Sequence, residues 1–143
     1  MIDGEPGLTI LLVEDDDVAA EAVVRSLRKA GLDFPTVWAE DGLQALRALR
    51  GDDPERQVPR PRVILLDLNM PRMNGFEFLQ QLRADPRLRD DVVFVLTTSD
   101  AETDRMRAYQ EHIAGYMVKA AVGPQFSRPA QLLGLYHHHI RLP

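Results

Sequence analysis

The chain has 143 residues, 45% of them hydrophobic and 27% charged, with a formal net charge of −5. That is the composition of one ordinary globular domain, long enough to bury a single core. No run of about 18 apolar residues is present, which excludes a membrane span. The absence of cysteine excludes disulfides and thiolate metal sites and makes a cytoplasmic location the default. Acidic residues precede the first basic one at Arg25, the opposite of a secretory leader, and no Lys/Arg-rich block offers a surface for duplex nucleic acid.

Residues 1–7 are polar and contain Gly and Pro, as expected of a frayed lead-in. A first strand is predicted over about 8–13. A helix follows from Asp16 or Asp17, a possible N-cap, to about Ala30, with Val18, Ala22, Leu27 and Ala30 turned inward. Gly31 stands where a helix C′ glycine belongs. Residues 35–39 read as a short second strand, and Asp41-Gly42 opens a helix carrying Leu43, Leu46 and Leu49, closed by Gly51. Residues 52–61, rich in proline and charge, read as a solvated loop longer than usual. Strand three is 62–66. After the loop 67–75, Phe76, Leu79 and Leu82 mark a third helix that ends near Asp85-Pro86. Strand four covers 92–96, a fourth helix about 101–111, and strand five 115–118. Ser127 could cap a fifth helix, with Pro129 in its first turn, running through Leu132, Leu133 and Tyr136. Five strands alternating with five helices predict a parallel sheet covered on both faces by right-handed crossovers. Periodicity leaves the strand order open.

Four of the apolar runs end in polar residues. Ile10 to Val13 stops at Glu14-Asp15, Val63 to Leu66 at Asp67, Val92 to Leu96 at Thr97, and Tyr116 to Val118 at Lys119. Each falls at the carboxyl end of a buried parallel strand, the edge of an open α/β sheet where ligands bind. Asp67 could act as a nucleophile and form an acyl phosphate, or it could simply cap a turn. Three acids gathered at one rim repel one another unless a cation lies among them. An oxygen-only ligand set favours Mg²⁺ over zinc, with Glu14 and Asp15 in the metal role, while Asp16 and Asp17 suit the start of a helix. The Thr97 hydroxyl could donate to a phosphoryl oxygen and the Lys119 ammonium neutralise its charge. Singly, Thr97 is an ordinary strand residue and Lys119 a surface charge.

In order, these segments resemble the receiver domains of two-component response regulators, known from the bacterial chemotaxis regulator. The likeness rests on residues 10–16 (Ile-Leu-Leu-Val-Glu-Asp-Asp), 65–71 (Leu-Leu-Asp-Leu-Asn-Met-Pro) with Met73-Asn74-Gly75, 95–100 (Val-Leu-Thr-Thr-Ser-Asp) and 115–119 (Gly-Tyr-Met-Val-Lys). It implies a doubly wound, flavodoxin-like five-stranded parallel sheet of order 2-1-3-4-5 with five helices. It further implies one receiver domain over 1–143, its core at about 8–137 and its extensions at 1–7 and 138–143. Carried over residue by residue, Asp67 is the phosphoacceptor. Asp15 binds Mg²⁺ directly, Glu14 largely through water, and the Asn69 carbonyl adds a ligand. Thr97 binds the phosphoryl group, Lys119 pairs with it, and Tyr116 is the aromatic switch. Asn69 and Ser99 occupy positions that tune dephosphorylation. The implied donor is a phosphohistidine on a sensor kinase or phosphotransfer protein, and the receiver is no enzyme beyond catalysing its own modification. Residues 66–71, 96–102 and the Pro/Arg-rich loop before strand three are also similar to single-domain regulators that partner phytochrome-type kinases. A homodimer through helix four, strand five and helix five is a further expectation.

The chain departs from the family at Ala120, where proline usually follows the strand-five lysine; a cis bond to a non-proline residue costs roughly 2.5–4 kcal/mol, so a trans bond is expected there. His137, His138 and His139 are adjacent helical residues pointing in different directions, which makes them a poor chelate and an exposed helix end. Two competing readings stand beside the switch. One is a degenerate receiver serving as an interaction module. The other is an aspartate-based phosphohydrolase, disfavoured because Asn69 stands where such enzymes carry a second Asp.

Overall fold

The computed structural model describes residues 7–29, 31 and 34–119. Among them five strands alternate with four helices: β1 (Thr9–Val13), α1 (Asp17–Lys29), β2 (Thr36–Ala39), α2 (Gly42–Leu49), β3 (Arg62–Leu66), α3 (Gly75–Ala84), β4 (Val92–Thr97), α4 (Glu102–Gln110) and β5 (Gly115–Val118). The strands form one parallel sheet of order β2-β1-β3-β4-β5, the order the resemblance implied. The expected fifth helix, the Lys119–Ala120 bond and the histidines at 137–139 lie outside the described residues.

Strand alternation divides the core into two layers. Leu11, Val13, Ile64, Leu66, Val93 and Val95 face α2, α3 and α4 in one apolar cluster. Ile10, Leu12, Val63, Leu65, Phe94 and Leu96 face the other way, where Ala20, Val23 and Leu27 of α1 cover them. Burial on both sides explains why the strands read as continuous apolar runs.

Local signals end the helices where expected. Asp41 caps α2 through a 2.9 Å bond from the Gln44 N–H. Asn74 and Glu77 form a reciprocal capping box at the start of α3. Gly31 and Gly51 close α1 and α2 with φ of 78° and 77°, conformations that favour glycine.

Two helix-face readings and one loop reading need correction. Val18 is 71% exposed, because the buried stripe of α1 runs through Ala20, Val23, Ser26 and Leu27, and Val18 lies about 200° from Ala20 around the helix. Leu43 is 49% exposed, since α2 buries Ala45, Leu46, Ala48 and Leu49. The loop 52–61 is anchored as well as solvated: Val58 is buried in the core, and buried Asp53 pairs with Arg56 at 3.1 Å.

Candidate functional site: a carboxylate rim at the strand ends

The sheet's register assembles the site. Val13 is level with Ala39 and with Leu66, and the ladder runs one step further through Glu14 N–H to Ala39 O and Asp67 N–H to Val13 O, both 3.0 Å. Glu14 and Asp67 are thereby set side by side on strand ends and buried, while Asp15 is exposed at the mouth. One carboxylate oxygen from each of the three lies within 4.8 Å of the others. Lys119, which follows the Thr97–Val118 pair of β4 and β5, sends its Nζ to 2.9 Å from Glu14 Oε1 and 3.8 Å from Asp67 Oδ2.

One ammonium pairs with two of the three clustered carboxyl groups. Burial, reinforced by the hydrogen bond and charge of Asp67, pushes the Glu14 carboxyl up to about 8 against the opposing pull of Lys119. Among the described residues, Glu14 Oε2 is buried without a hydrogen-bond partner. A buried acceptor with no donor, beside two further carboxylates, fits a hard divalent cation held by oxygen. The Asn69 carbonyl belongs to the next loop, whose start is fixed by the Asn69 N–H bond to Asp67 Oδ1 at 3.3 Å. That loop turns back tightly: a Cβ on Gly75 would fall 2.6 Å from Leu68 Cα and 2.8 Å from Asp67 O, so only glycine permits the approach.

Thr97 is fully buried as the last residue of β4. Its Oγ1 accepts the Ser99 N–H at 3.4 Å, and the Tyr116 hydroxyl donates to Ser99 O at 2.9 Å while its ring packs on the core. Burial raises the Tyr116 phenol above its ordinary value. The Ser99 hydroxyl donates to Asp104 Oδ2 at 2.6 Å, which ties the loop to α4, a helix whose N-cap Ala101 makes no side-chain cap bond.

Of the residues singled out from sequence, Glu14, Asp15, Asp67, Asn69, Thr97, Ser99 and Lys119 fall on this rim or the loops leaving it, and Tyr116 lies within β5 and reaches the rim loop through its hydroxyl. Sequence reasoning missed Trp38, whose indole N–H donates to Glu14 O at 2.7 Å, and Asp104. It placed Asp41 only at a helix start and gave no role to Arg72, although Arg72 Nη2 lies 2.5 Å from Asp41 Oδ2. The Trp38–Glu14 and Asp41–Arg72 partners are too far apart in the chain to leave a local pattern.

A 2-1-3-4-5 sheet with this rim defines a receiver, and the chain belongs to the response regulator receiver domain family, which residues 10–126 match. Three proteins show the likeness. The probable methanogenesis regulatory protein FilR2 of Methanothrix harundinacea is 38% identical over 120 residues, 83% of this chain and 76% of its own. Response regulator Rcp1 of Synechocystis is 36% identical over 118 residues, 82% and 80% of the two chains. The Mn²⁺-bound crystal structure of Rcp1 superposes with a TM-score of 0.81 at 32% identity, covering 96% of this chain and 99% of that one. The phosphorylated cyanobacterial phytochrome response regulator RcpA gives a TM-score of 0.83 at 30% identity, with the same coverage of 96% and 99%. The chain is therefore a response regulator of a two-component system.

Proposed function

We propose that this receiver accepts a phosphoryl group onto Asp67 from a phosphohistidine on a sensor kinase or phosphotransfer protein, and that the modification alters protein contacts through α4 and β5. The observation that carries the reading is the single ammonium of Lys119 set between Glu14 and Asp67 beside a buried, unpartnered carboxylate oxygen. An Asp67 oxygen bonds to phosphorus as the phosphorus–nitrogen bond breaks. The electron pair of that bond leaves with the imidazole nitrogen, which takes up a proton. Lys119 neutralises charge on the phosphoryl oxygens, and Thr97 donates its hydroxyl once it turns toward them. Glu14, Asp15, Asp67 and the Asn69 carbonyl would hold Mg²⁺, which when bound supplies the further positive charge that this chemistry needs.

Tyr116 already joins the Thr97 loop through Ser99, so movement of Thr97 is felt at β5 and α4. Asn69 and Ser99 flank the acceptor and would set the lifetime of the acyl phosphate. The receiver acts on no external substrate and binds no nucleic acid. Its working unit is one receiver spanning about residues 8–137 in the cytoplasm. That this chain's structural neighbour RcpA is a phytochrome response regulator, with 96% and 99% mutual coverage, supports a phytochrome-type kinase as donor. Exposed Met106 and Tyr109 on α4 support a homodimer through the α4–β5 side.

Incubation with acetyl phosphate and Mg²⁺ should add one phosphoryl mass, and Asp67→Asn should abolish it. Equal labelling of Asp67→Asn would refute the assignment, and steady turnover of a phosphate ester would indicate a hydrolase. Size exclusion with beryllofluoride tests the dimer.

A further inference from the structure

The order β2-β1-β3 places the loops that leave β2 and β3 on either side of the strand end bearing Glu14 and Asp15. Those loops are joined to each other. Asp41, 1% exposed, spends one carboxylate oxygen on the Gln44 N–H at 2.9 Å and the other on Arg72 Nη2 at 2.5 Å. The next residue, Gly42, donates its N–H to Met73 O at 3.4 Å. A Cβ on Gly42 would lie 2.8 Å from Met73 Cγ and 2.9 Å from Sδ, so the start of α2 and this stretch of loop are in close contact. Arg72 has φ of 63°, the left-handed region that non-glycine residues seldom occupy. The backbone thus holds a disfavoured conformation at the residue whose side chain reaches Asp41.

We propose that Asp41 and Arg72 form a latch that positions the β3–α3 loop, and with it Asn69, beside the carboxylate rim. The loop is pinned at its base by Gly75 against Asp67 and Leu68 and by buried Leu68 and Met70. Its far side, at Arg72 and Met73, is tied to α2. Asn69 lies between these anchors, so release of the far side moves the carbonyl that would complete the cation site. Neither Asp41 nor Arg72 touches the reacting atoms; both are positioning residues. The inference rests on the cation role proposed for this rim.

The test uses the full chain with Mn²⁺ as the probe, titrated by electron paramagnetic resonance, for Arg72→Asn, Arg72→Lys, Asp41→Asn and the double variant Asp41→Asn/Arg72→Asn. Asparagine tolerates the left-handed backbone at position 72 and remains a good cap at position 41. Both single asparagine variants should bind Mn²⁺ more weakly, by about three- to tenfold, as expected for loss of a partly solvated ion pair. The double variant should be no weaker than the weaker single variant, and Arg72→Lys should recover most of the affinity. Charge acting through space would instead move the two single variants in opposite directions. That outcome, unchanged affinity in Arg72→Asn, or additive losses in the double variant would overturn the latch. If the parent binds no Mn²⁺, the cation reading fails by itself, and hydrogen exchange of metal-free protein decides the latch. Faster exchange across residues 68–75 in Arg72→Asn supports it, and unchanged exchange overturns it.

Discussion

The two rims of the sheet are built from the same kinds of side chain and reach opposite outcomes. At the amino-terminal rim, Asp91 is buried against Arg62, which grips both of its oxygens at 2.9 Å, while Arg60 adds a third bond at 3.1 Å. Arg62 gives its remaining nitrogen to Val58 O, and Arg83 donates to the carbonyls of Arg89, Asp91, Glu111 and His112. Positive charge there outnumbers the one carboxylate, and each of these groups is engaged in hydrogen bonds. At the carboxyl-terminal rim, one lysine pairs with two of three clustered carboxyl groups, and among the described residues a buried Glu14 oxygen has no donor. One rim holds β3, β4 and α3 together. The other is left short of positive charge, a shortfall that a bound cation would offset.

The comparison is most sharply broken by removing the anchor of the satisfied rim. Asp91→Ala leaves Arg62 buried and uncompensated and should destabilise the fold by about 3–5 kcal/mol, read by urea denaturation. A loss under about 1 kcal/mol would show that this network is not the clamp its geometry describes.

The opposite sign is expected at the other rim. Glu14, raised to about 8 in the fold, favours folding when protonated. Its contribution is fully present below the unfolded value near 4.5 and is lost as pH rises through about 8. Metal-free protein with Glu14→Gln should therefore be more stable than the parent above pH 8, by roughly 1–3 kcal/mol, while its Mn²⁺ affinity falls. A variant destabilised at high pH would contradict the shortfall of positive charge.

The smallest effect belongs to Asp85, back on the satisfied side. The Arg87 N–H at 2.9 Å and then the Arg50 guanidinium hold its carboxyl below the usual range. A depressed carboxylate contributes stability above its unfolded value that is lost as pH falls through the folded one. Asp85→Asn should shallow the acid limb of a Tm–pH profile and leave Mn²⁺ binding untouched; an unchanged acid limb would remove Asp85 from that account.

The contrast between rims also marks what could be read from sequence. β3 and β5 fall at the residues predicted, because apolar runs bounded by charge or glycine have clear ends. The carboxylate rim was legible because a parallel sheet sends the residue after each strand to one edge, so Glu14, Asp67, Thr97 and Lys119 meet by topology alone. Strand order came from resemblance, since no periodicity encodes it. The Asp91–Arg62 clamp, the Asp41–Arg72 pair and the Trp38–Glu14 bond were invisible, each joining residues 24 or more apart in the chain. Val18 and Leu43 misled because an apolar residue near a helix start resembles one on the buried stripe until the phase of the whole helix is known.

Trp38 has a consequence of its own. It is the only tryptophan in the chain, and its indole N–H is bonded to the backbone of Glu14, the acid with the unpartnered oxygen. A shift of the Glu14 backbone would therefore reach a single chromophore on the neighbouring strand. Trp38 fluorescence reads that strand end without a label.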